Sequence, residues 1–461
     1  MFSNELWQKS GVSTYSIDQS IRFNSADSTY MQRTHGAGGN VDKFSVSFWF
    51  KRSNLGTDQY MFGSGADANN TSDINFNTSD QLTFWSYIGG YQTRLITTQV
   101  FRDPSAWYHC VVVYDSGNAV STERARLYIN GARVTSFGTE TYPSQNQDGI
   151  VGSNVNIGFG RYISYGGSYF DGYLAEMNYV NGLALDPSSF GEYNDSGIWI
   201  PKEYSGSYGT GGFKVDGRDS ADLGDDESGN GNDLTTSGLA ADDQKPDTPT
   251  NNQITFNPLN NQRSGGTPSN GNLDYVGPST RTLITLTANL PTSGKWCCAF
   301  KVQAVSNNAG WQIGVGYADD SNLGDAAGSN EDVSIIRMST SSSDLEIFDA
   351  IAGSGIDPSQ AITTSDEFWV AQDMDAGKTY LGIYDASATA MVWIANDAGL
   401  DGNPSAGTNE TKTNSALAGS DNVVITVGSK ASNAVYLQKS GDVDGTVPTG
   451  FTYFENVKDL I

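Results

Sequence analysis

Carboxylate and amide side chains are concentrated between residues 222 and 233, and Ca²⁺ prefers oxygen ligands of this kind. Asp226-Glu-Ser-Gly-Asn230-Gly231 spaces such oxygens at alternate positions and places glycine where a calcium loop turns sharply. Ser237 stands where an EF-hand-type loop needs a bidentate glutamate. Two interpretations stay open, a calcium site or a solvated turn rich in Asp and Asn. The candidate calcium ligands are Asp222, Asp225, Asp226, Asn230 and Asp233.

Aromatic side chains in loops of small residues provide a second kind of chemistry. Residues 160–172, GRYISYGGSYFDG, place tyrosines among Gly and Ser, and residues 84–91 hold another aromatic group. Such rings stack on sugars and donate hydrogen bonds at modest entropic cost. The alternative is that they pack over a sandwich end or form a subunit interface. The candidate glycan-binding residues are Trp85, Tyr87, Tyr91, Tyr162, Tyr165 and Tyr169.

The sequence contains two histidines, and neither has the surroundings of a catalytic base. His109 lies in the apolar stretch Trp107–Tyr114, where we expect a structural role. His35 lies in a glycine-rich loop with no carboxylate or serine signature beside it. No pattern favours a Ser-His-Asp triad, so we predict no catalytic residue and no enzymatic activity.

The start of the chain is polar, and its only large apolar residues are Phe2, Leu6 and Trp7. We predict that residues 1–14 form an arm that docks on another protein through these three side chains, because together they would otherwise be an exposed apolar patch. The alternative is a frayed terminus. The start lacks the basic flank and apolar core of a signal peptide, so we expect synthesis and folding in a cytoplasm.

Composition excludes several classes of protein. The formal net charge of −26 and the lack of clustered Lys and Arg disfavour nucleic-acid binding. No apolar run approaches the length of a membrane span, so we expect no membrane insertion. Cys110, Cys297 and Cys298 give no disulfide framework and are predicted to be free, mostly buried thiols.

The elements that must position these residues are β-strands. Fifty-three glycines, 11% aromatic residues and only 17% charged residues fit an all-β protein with many turns. Phe44–Lys51 alternates apolar and polar side chains as a half-buried strand does, and Trp107–Tyr114 is apolar on both faces, which predicts the middle of a sheet. Asn130-Gly131 lies between two alternating runs and predicts a type I′ hairpin.

The chain is long enough for two domains. We predict a sandwich over residues 15–205, an Asp-, Gly- and Asn-rich connector over 206–261, and a second sandwich over 262–461. The connector has few apolar residues before Ile254, which leaves little area to bury. The predicted fold is therefore two antiparallel β-sandwiches of the jelly-roll type in tandem.

Four segments taken in order, WYHCVVVYD, LYING, NIGFG and YFDGYLAEMNYVNGLAL, resemble the laminin G-like, concanavalin A-like lectin family. The resemblance implies a jelly-roll sandwich over roughly residues 15–195. The family includes glycan-binding lectins and also glucan hydrolases, which carry a Glu-x-Asp-x-Glu strand. The nearest pattern, Asp344-Leu-Glu346-Ile-Phe-Asp349, belongs to the second domain, and its last carboxylate is out of phase with the first two.

The second domain resembles a SPRY-like domain in the segments SGKWCCAFKV, WQIGVGYAD and FWVAQDMDAGKTYLGIYD and in the closing PTGFTYF. The resemblance implies that Asp373-Met-Asp375-Ala-Gly377-Lys378 is the turn of a hairpin and not a metal site.

The pairing of these two domains resembles virion structural and tail-fibre-like proteins of tailed phages. It implies a non-catalytic protein of the virion surface, a tail fibre or a capsid decoration, that is released by lysis and contributes to attachment to host-surface glycans. It also implies contacts with other virion proteins and self-association, with a trimer favoured. The alternative function is a polysaccharide depolymerase of the concanavalin A-like glucanase class.

Overall fold

A computed structural model of the chain describes residues 15–262, 266–278, 282–305, 311–317, 334–338, 345–348, 354–356, 362–395, 400–429 and 433–456. The chain divides into two compact units, Met1–Asn252 and Gln253–Ile461. Each unit is built from antiparallel sheets, so the predicted all-β class is confirmed. The described residues contain no α-helix, and hence no helix that would cross a membrane.

The strands of the first unit are β1 (Ser20–Phe23), β2 (Tyr30–Thr34), β3 (Lys43–Arg52), β4 (Gln59–Asp67), β5 (Asn70–Phe76), β6 (Gln81–Ile88), β7 (Tyr91–Val100), β8 (Tyr108–Asp115), β9 (Ala125–Ile129), β10 (Ala132–Arg133), β11 (Phe137–Thr141), β12 (Asn156–Phe159), β13 (Gly172–Asn181), β14 (Gly191–Tyr193), β15 (Trp199–Pro201), β16 (Phe213–Val215), β17 (Thr235–Ser237) and β18 (Gln244–Lys245). Short 3₁₀ turns lie at Ser25–Asp27, Ser121–Glu123, Pro187–Ser189 and Ala241–Asp243.

Two eight-stranded sheets form the sandwich of this unit. Sheet A has the order β10-β9-β8-β3-β13-β1-β18, with β16 also paired to β13. Sheet B has the order β11-β7-β6-β5-β4-β12-β2-β17, and β14 pairs with β15 in a separate two-stranded sheet. The sheets meet through aromatic rings, with Phe48 of β3 5.9 Å from Phe159 of β12 and Phe50 of β3 5.4 Å from Phe76 of β5, measured between ring centroids.

Two local predictions are confirmed in sheet A. Asn130 and Gly131 have φ angles of 48° and 77°, the positive values that a type I′ turn needs, and they join β9 to β10. Strand β8 lies between β9 and β3, inside the sheet, as its two apolar faces predict. The thiol of Cys110 on β8 is buried and free, and so are those of Cys297 and Cys298 in the second unit.

The prediction that β3 is half-buried is wrong, because every residue from Phe44 to Arg52 is buried. The outer face of sheet A is covered by the chain that follows β13. Phe190 and Tyr208 from that chain pack with Val111 and Val113 of β8. The period-2 pattern identified the core face of β3 correctly, but the cover on the opposite face depends on residues far away in the sequence.

The predicted connector over 206–261 is not a separate segment. Strand β16 pairs with β13, β17 pairs with β2 at the edge of sheet B, and β18 pairs with β1 at the edge of sheet A. The few apolar residues of this segment are enough to hold it against the first sandwich. Four of them are buried in the core of the first unit: Phe213, Val215, Leu223 and Leu234.

Buried ion pairs attach the end of this segment to the first sandwich. The Asp243 carboxylate accepts two hydrogen bonds from Arg22 of β1, at 2.7 and 3.0 Å. The Lys51 ammonium of β3 lies 2.8 Å from an oxygen of Asp247, whose other oxygen accepts from the Trp107 indole N–H at 2.9 Å. A polar sequence can therefore dock where its charges meet opposite charges and hydrogen-bond donors.

The described strands of the second unit are β19 (Phe256–Gln262), β20 (Pro268–Ser269), β21 (Asp274–Val276), β22 (Thr282–Leu286), β23 (Lys295–Ala304), β24 (Gln312–Tyr317), β25 (Ser334–Met338), β26 (Leu345–Phe348), β27 (Ser354–Ile356), β28 (Glu367–Asp373), β29 (Lys378–Asp385), β30 (Ala390–Ile394), β31 (Lys412–Thr413), β32 (Val423–Ser429), β33 (Ala434–Leu437) and β34 (Thr452–Tyr453). One sheet has the order β19-β22-β32-β24-β25-β26-β27. The other has the order β20-β21-β33-β23-β28-β29-β30, with β31 paired to β29 and β34 parallel to β23.

Alternate side chains in and just before β24 belong to the core of the second unit. Trp311, Ile313 and Val315 are buried in one cluster, and the Trp311 ring lies 5.3 Å from Phe368 of β28. The predicted hairpin turn is confirmed, since Asp373 pairs with Lys378 across it. Gly377 has a φ of 65°, and the Asp373 carboxylate accepts the backbone N–H groups of Asp375 and Ala376.

Candidate functional site

The outer face of sheet B carries a row of side chains that crosses four strands. Gly63 of β4, Asp73 of β5, Trp85 of β6 and Arg94 of β7 are consecutive partners in the strand register. One sequence neighbour of each is a large apolar residue of the sandwich core. Because side chains alternate along a strand, the row itself points away from the core.

Six aromatic rings lie together on this face, and we call them the aromatic platform. The Tyr60 and Tyr162 rings are stacked, with centroids 4.5 Å apart and planes 15° apart. Trp85 meets Tyr162 at 6.0 Å and Tyr91 at 5.9 Å, both edge to face. Tyr87 lies 5.1 Å from Tyr91, and Tyr165 lies 6.0 Å from Tyr162. The platform consists of Tyr60, Trp85, Tyr87, Tyr91, Tyr162 and Tyr165.

Two rings of the platform are open to solvent. Tyr165 is 76% exposed and Tyr91 is 47% exposed, while the other four rings are half-buried. An exposed ring presents a flat apolar face and a hydroxyl group on the same side chain. The platform can therefore stack on a flat apolar ligand surface and form hydrogen bonds at its rim.

The segment from Gly160 to Phe170 brings two of these rings to the sheet. The segment closes on itself where the Tyr162 carbonyl accepts the Gly166 N–H at 2.7 Å. The Ser164 hydroxyl donates to the Thr71 hydroxyl on β5 at 2.5 Å. A side chain at Gly65 of β4 would collide with the Ser164 hydroxyl, so glycine at this position allows the segment to lie close to the sheet.

A buried carboxyl group lies in the same row as Trp85. Asp73 has no exposed surface, and its Oδ2 accepts a hydrogen bond from the Thr71 hydroxyl at 2.6 Å. Within the described part of the chain its Oδ1 has no hydrogen-bond partner. Burial raises the pKa of Asp73 well above its usual value, and the Thr71 hydrogen bond opposes this shift. Burial therefore favours the protonated, uncharged form of this carboxyl group.

The platform tyrosines keep their protons in the physiological range. Burial raises the pKa of Tyr162 to about 12, with Asp73 adding to the effect. Burial also raises the pKa of Tyr60. Both phenols are therefore neutral groups that can donate or accept a hydrogen bond.

The structure unites five of the six predicted glycan-binding residues, Trp85, Tyr87, Tyr91, Tyr162 and Tyr165. Tyr169 is not among the platform rings and instead packs 6.4 Å from Tyr30, which has the Arg161 guanidinium over its ring. Tyr60 of β4 was missed by the sequence analysis. The register of β4 shifts between Tyr60 and Phe62, which hides the alternation that would have marked the ring as outward-facing.

The predicted calcium ligands are used in hydrogen bonds to the protein. Asp226 is buried, and its two oxygens accept the backbone N–H groups of Lys214, Ser228 and Asn232. The Asn230 amide donates to the carbonyl groups of Gly209 and Gly212. In the ranges that the structure describes, no three His, Cys, Asp or Glu side chains are grouped to hold a metal ion. The structure therefore does not assemble the predicted calcium site.

The remaining predicted ligands do not change this result. The Asp222 carboxylate accepts the Gly224 N–H, and the Asp233 carboxylate accepts the Asp226 N–H. Desolvation raises the pKa of Asp225, and the neighbouring carboxylates of Asp233 and Asp222 raise it further. These hydrogen bonds stabilise an Asp- and Asn-rich turn between β16 and β17, as the alternative interpretation predicted, but Asp226 in this turn is buried and not solvated.

His109 belongs to a stack on the outer face of sheet A. Its ring lies 4.7 Å from Trp49 and 6.0 Å from Trp199. Nδ1 accepts the Trp199 indole N–H at 3.0 Å, so the Nε2–H donates to the Ser47 hydroxyl at 2.8 Å. Burial lowers the pKa of His109 to about 3. In a catalytic triad a carboxylate contacts Nδ1 of the histidine, whereas here an indole does, and the ring stays neutral. Both observations support the structural role expected for His109.

His35 is also enclosed. Its Nδ1 donates to the Gly36 carbonyl and its Nε2 accepts from the Tyr179 hydroxyl, at 3.1 Å each. Burial lowers the pKa of His35 as well. Both histidines therefore serve as hydrogen-bonding parts of the first unit.

Two groups of predicted residues lie outside the described ranges. Phe2, Leu6 and Trp7 of the predicted arm are one group. Asp344 and Asp349 of the acidic pattern are the other, and for Glu346 the structure describes only the backbone pairing with Arg337.

Comparison with known families identifies the class of the first sandwich. Residues 24–188 match the sequence profile of the Concanavalin A-like lectin/glucanases superfamily. The chain therefore contains a concanavalin A-like lectin, or laminin G, domain within its first unit. No curated protein matches the sequence significantly.

Solved structures with similarity to the chain include lectin-like and SPRY domains. Domains LG4-5 of the mouse laminin alpha1 chain match 92% of this chain and 90% of their own, with 9% identity and a TM-score of 0.29. The SPRY domain of human HERC1 matches 40% of this chain and 98% of its own, with 12% identity and a TM-score of 0.28. The CBM40 of Ruminococcus gnavus IT-sialidase, bound to alpha2,3 sialyllactose, matches 38% and 96%, with 11% identity and a TM-score of 0.27.

Proposed function

We propose that this protein binds carbohydrate on the outer face of sheet B, through the aromatic platform. The observation that carries the proposal is the exposure of Tyr91 and Tyr165 in contact with Trp85 and Tyr162. Sugar rings offer flat C–H faces that stack on aromatic rings, and their hydroxyl groups pair with phenols. The lectin-like domain in which the platform lies supports the same function.

We further propose that the protein is not an enzyme. Glycoside hydrolysis uses two carboxyl groups about 5–10 Å apart, one on each side of the bond that is cleaved. Asp73 is the carboxyl group in the row that carries Trp85, and it is enclosed. A binding role needs no such pair, so the platform favours binding over the depolymerase alternative.

A place on the surface of a phage virion remains our proposal for the biological setting. It is supported by the resemblance of the tandem domains to tail-fibre-like virion proteins. In that setting the platform would contact host-surface glycans, residues 1–14 would dock on other virion proteins, and copies of the chain would associate, with a trimer favoured. Assembly in a host cytoplasm and release by lysis complete the proposal.

A glycan array probed with the full chain tests the binding function. The variant Tyr91→Ala/Tyr165→Ala should lose roughly 5- to 150-fold in affinity for any glycan that the natural protein binds, since each ring contributes about 0.5–1.5 kcal/mol to stacking. Tyr193→Ala is the matched control, because Tyr193 is 57% exposed and lies on β14, outside sheet B. Equal binding by both variants would exclude the platform as the site.

A further inference from the structure

We infer that the sugar bound by the platform carries a carboxylate group, and that Arg94 is the residue that recognises it. The inference rests on the proposed carbohydrate-binding function and adds the chemical class of the ligand. Uronic acids and other carboxylated sugars form this class. Three observations support it: the position of Arg94, its lack of a partner, and the distribution of charge across sheet B.

Arg94 is fixed within the platform. It is the register partner of Trp85, and its guanidinium lies 4.4 Å from the centroid of the Tyr91 ring. Tyr91 in turn contacts both Trp85 and Tyr87. A guanidinium that stacks on an aromatic ring keeps its N–H groups in one plane, directed away from the ring. A ligand stacked on the platform would meet the N–H groups along the edge of the Arg94 guanidinium.

The Arg94 side chain has no carboxylate of its own. Among the residues that the structure describes, its guanidinium has neither an ion-pair partner nor a side-chain hydrogen bond. Arg22, Arg52 and Arg102 of the same unit each lie within 3.1 Å of an aspartate oxygen. Arg94 therefore keeps its donors free for a ligand.

The acidic groups near the platform lie away from Arg94. Asp58 and Asp67, which act on the phenols of Tyr60 and Tyr162, lie at the two ends of β4. Three strand spacings separate β4 from β7, which is roughly 14 Å at about 4.8 Å for each spacing. Charges at this separation are largely screened at physiological ionic strength, where the Debye length is about 8 Å.

Two closer carboxyl groups do not compete for Arg94. Asp73 is buried under the platform and has a raised pKa, so its charge is suppressed. Glu140 of β11 is the register partner of Leu95, not of Arg94, and its carboxylate accepts a hydrogen bond from Tyr142 at 2.6 Å. The β7 side of the platform is therefore its cationic end, and a carboxylated sugar would bind with its acid group toward β7.

The test compares matched saccharides that differ only in the acid group. Hexagalacturonate and its carboxyl-reduced form, and alpha2,3 sialyllactose and its carboxyl-reduced form, are titrated calorimetrically into the full-length protein. The acidic member of at least one pair should bind about tenfold or more tightly than its neutral partner, as a charge-assisted bidentate contact predicts. This preference should weaken as NaCl is raised.

Arg94→Gln should abolish the preference, and Arg94→Lys should keep only part of it because a lysine lacks the planar fork. Arg133→Gln, which removes an exposed arginine paired with Glu123, should leave the preference intact. Neutral members that bind as well as acidic ones, with no effect of Arg94→Gln, would overturn the inference and leave the binding function standing. Binding of no saccharide, in these pairs or on the array, would overturn both.

Discussion

The two outer faces of the first sandwich carry similar side chains with opposite exposure. On sheet A, Trp49 and His109 are stacked and buried, beneath a cover formed by later parts of the chain. On sheet B, Trp85 and its neighbouring tyrosines remain partly open, with Tyr165 76% exposed. A strongly shifted pKa such as that of His109 often marks a functional site, yet here the histidine belongs to the covered face. Exposure, more than residue type, distinguishes a binding surface from a second core.

The largest effect is expected from Trp49→Ala. Trp49 is 4% exposed and contacts His109, Ile17 and Ala175, so its loss should lower the free energy of unfolding by about 3–5 kcal/mol. Urea denaturation followed by tryptophan fluorescence measures this change. Glycan affinity of the folded fraction should be unchanged. A stable Trp49→Ala variant without glycan binding would reverse the roles of the two faces.

Acidification should weaken the sheet A face through His109. Burial lowers its pKa to about 3, so the folded ring stays neutral while the unfolded ring gains a proton below about pH 6.5. Stability should therefore fall as the pH drops from 6.5 toward 3, by at most about 1.4 kcal/mol per pH unit. The difference between the pH profiles of the natural protein and His109→Asn isolates this effect. Parallel profiles would contradict it.

The sheet B face should respond in the opposite direction through Asp73. Its folded pKa is raised by burial, so the folded protein holds a proton that the unfolded chain releases above about pH 3.9. The stability contribution of Asp73 is therefore complete at low pH and falls as the pH rises, by no more than about 1.4 kcal/mol per pH unit. Asp73→Asn should be more stable than the natural protein at pH 7 and should lack this slope. Thermal unfolding at several pH values measures both.

The smallest effect on stability is expected from Tyr165→Ala. Because this side chain is mostly exposed, its removal should change the free energy of unfolding by less than about 0.5 kcal/mol. Glycan affinity should nevertheless fall. A loss of stability comparable to that of Trp49→Ala would mean that Tyr165 supports the fold of the segment from Gly160 to Phe170, and the contrast between the faces would disappear.

Local sequence was enough for much of the fold and for part of the platform. The strand around Phe48 was predicted from alternation, the strand around Cys110 from its two apolar faces, and the Asn130-Gly131 turn from its backbone preferences. Five of the six platform residues came from aromatic content in two segments. Tyr60 was missed because the register of β4 shifts beside it. Arg94 was missed because the sequence does not show that its guanidinium has no ion-pair partner among the described residues.

The sequence by itself therefore determined strands such as β3 and β8, the Asn130-Gly131 turn and the core face of β3, because these follow from side chains within a few residues of one another. The tertiary structure decided what covers the other faces. Lys51 meets Asp247 across 196 positions of the chain, and Trp107 meets the same carboxylate across 140. Burial of the second face of a strand depends on such distant contacts, and the hydrophobic periodicity of the strand does not predict them. For that reason the sequence could name five of the six platform rings, but only the fold shows which of them are left for a ligand.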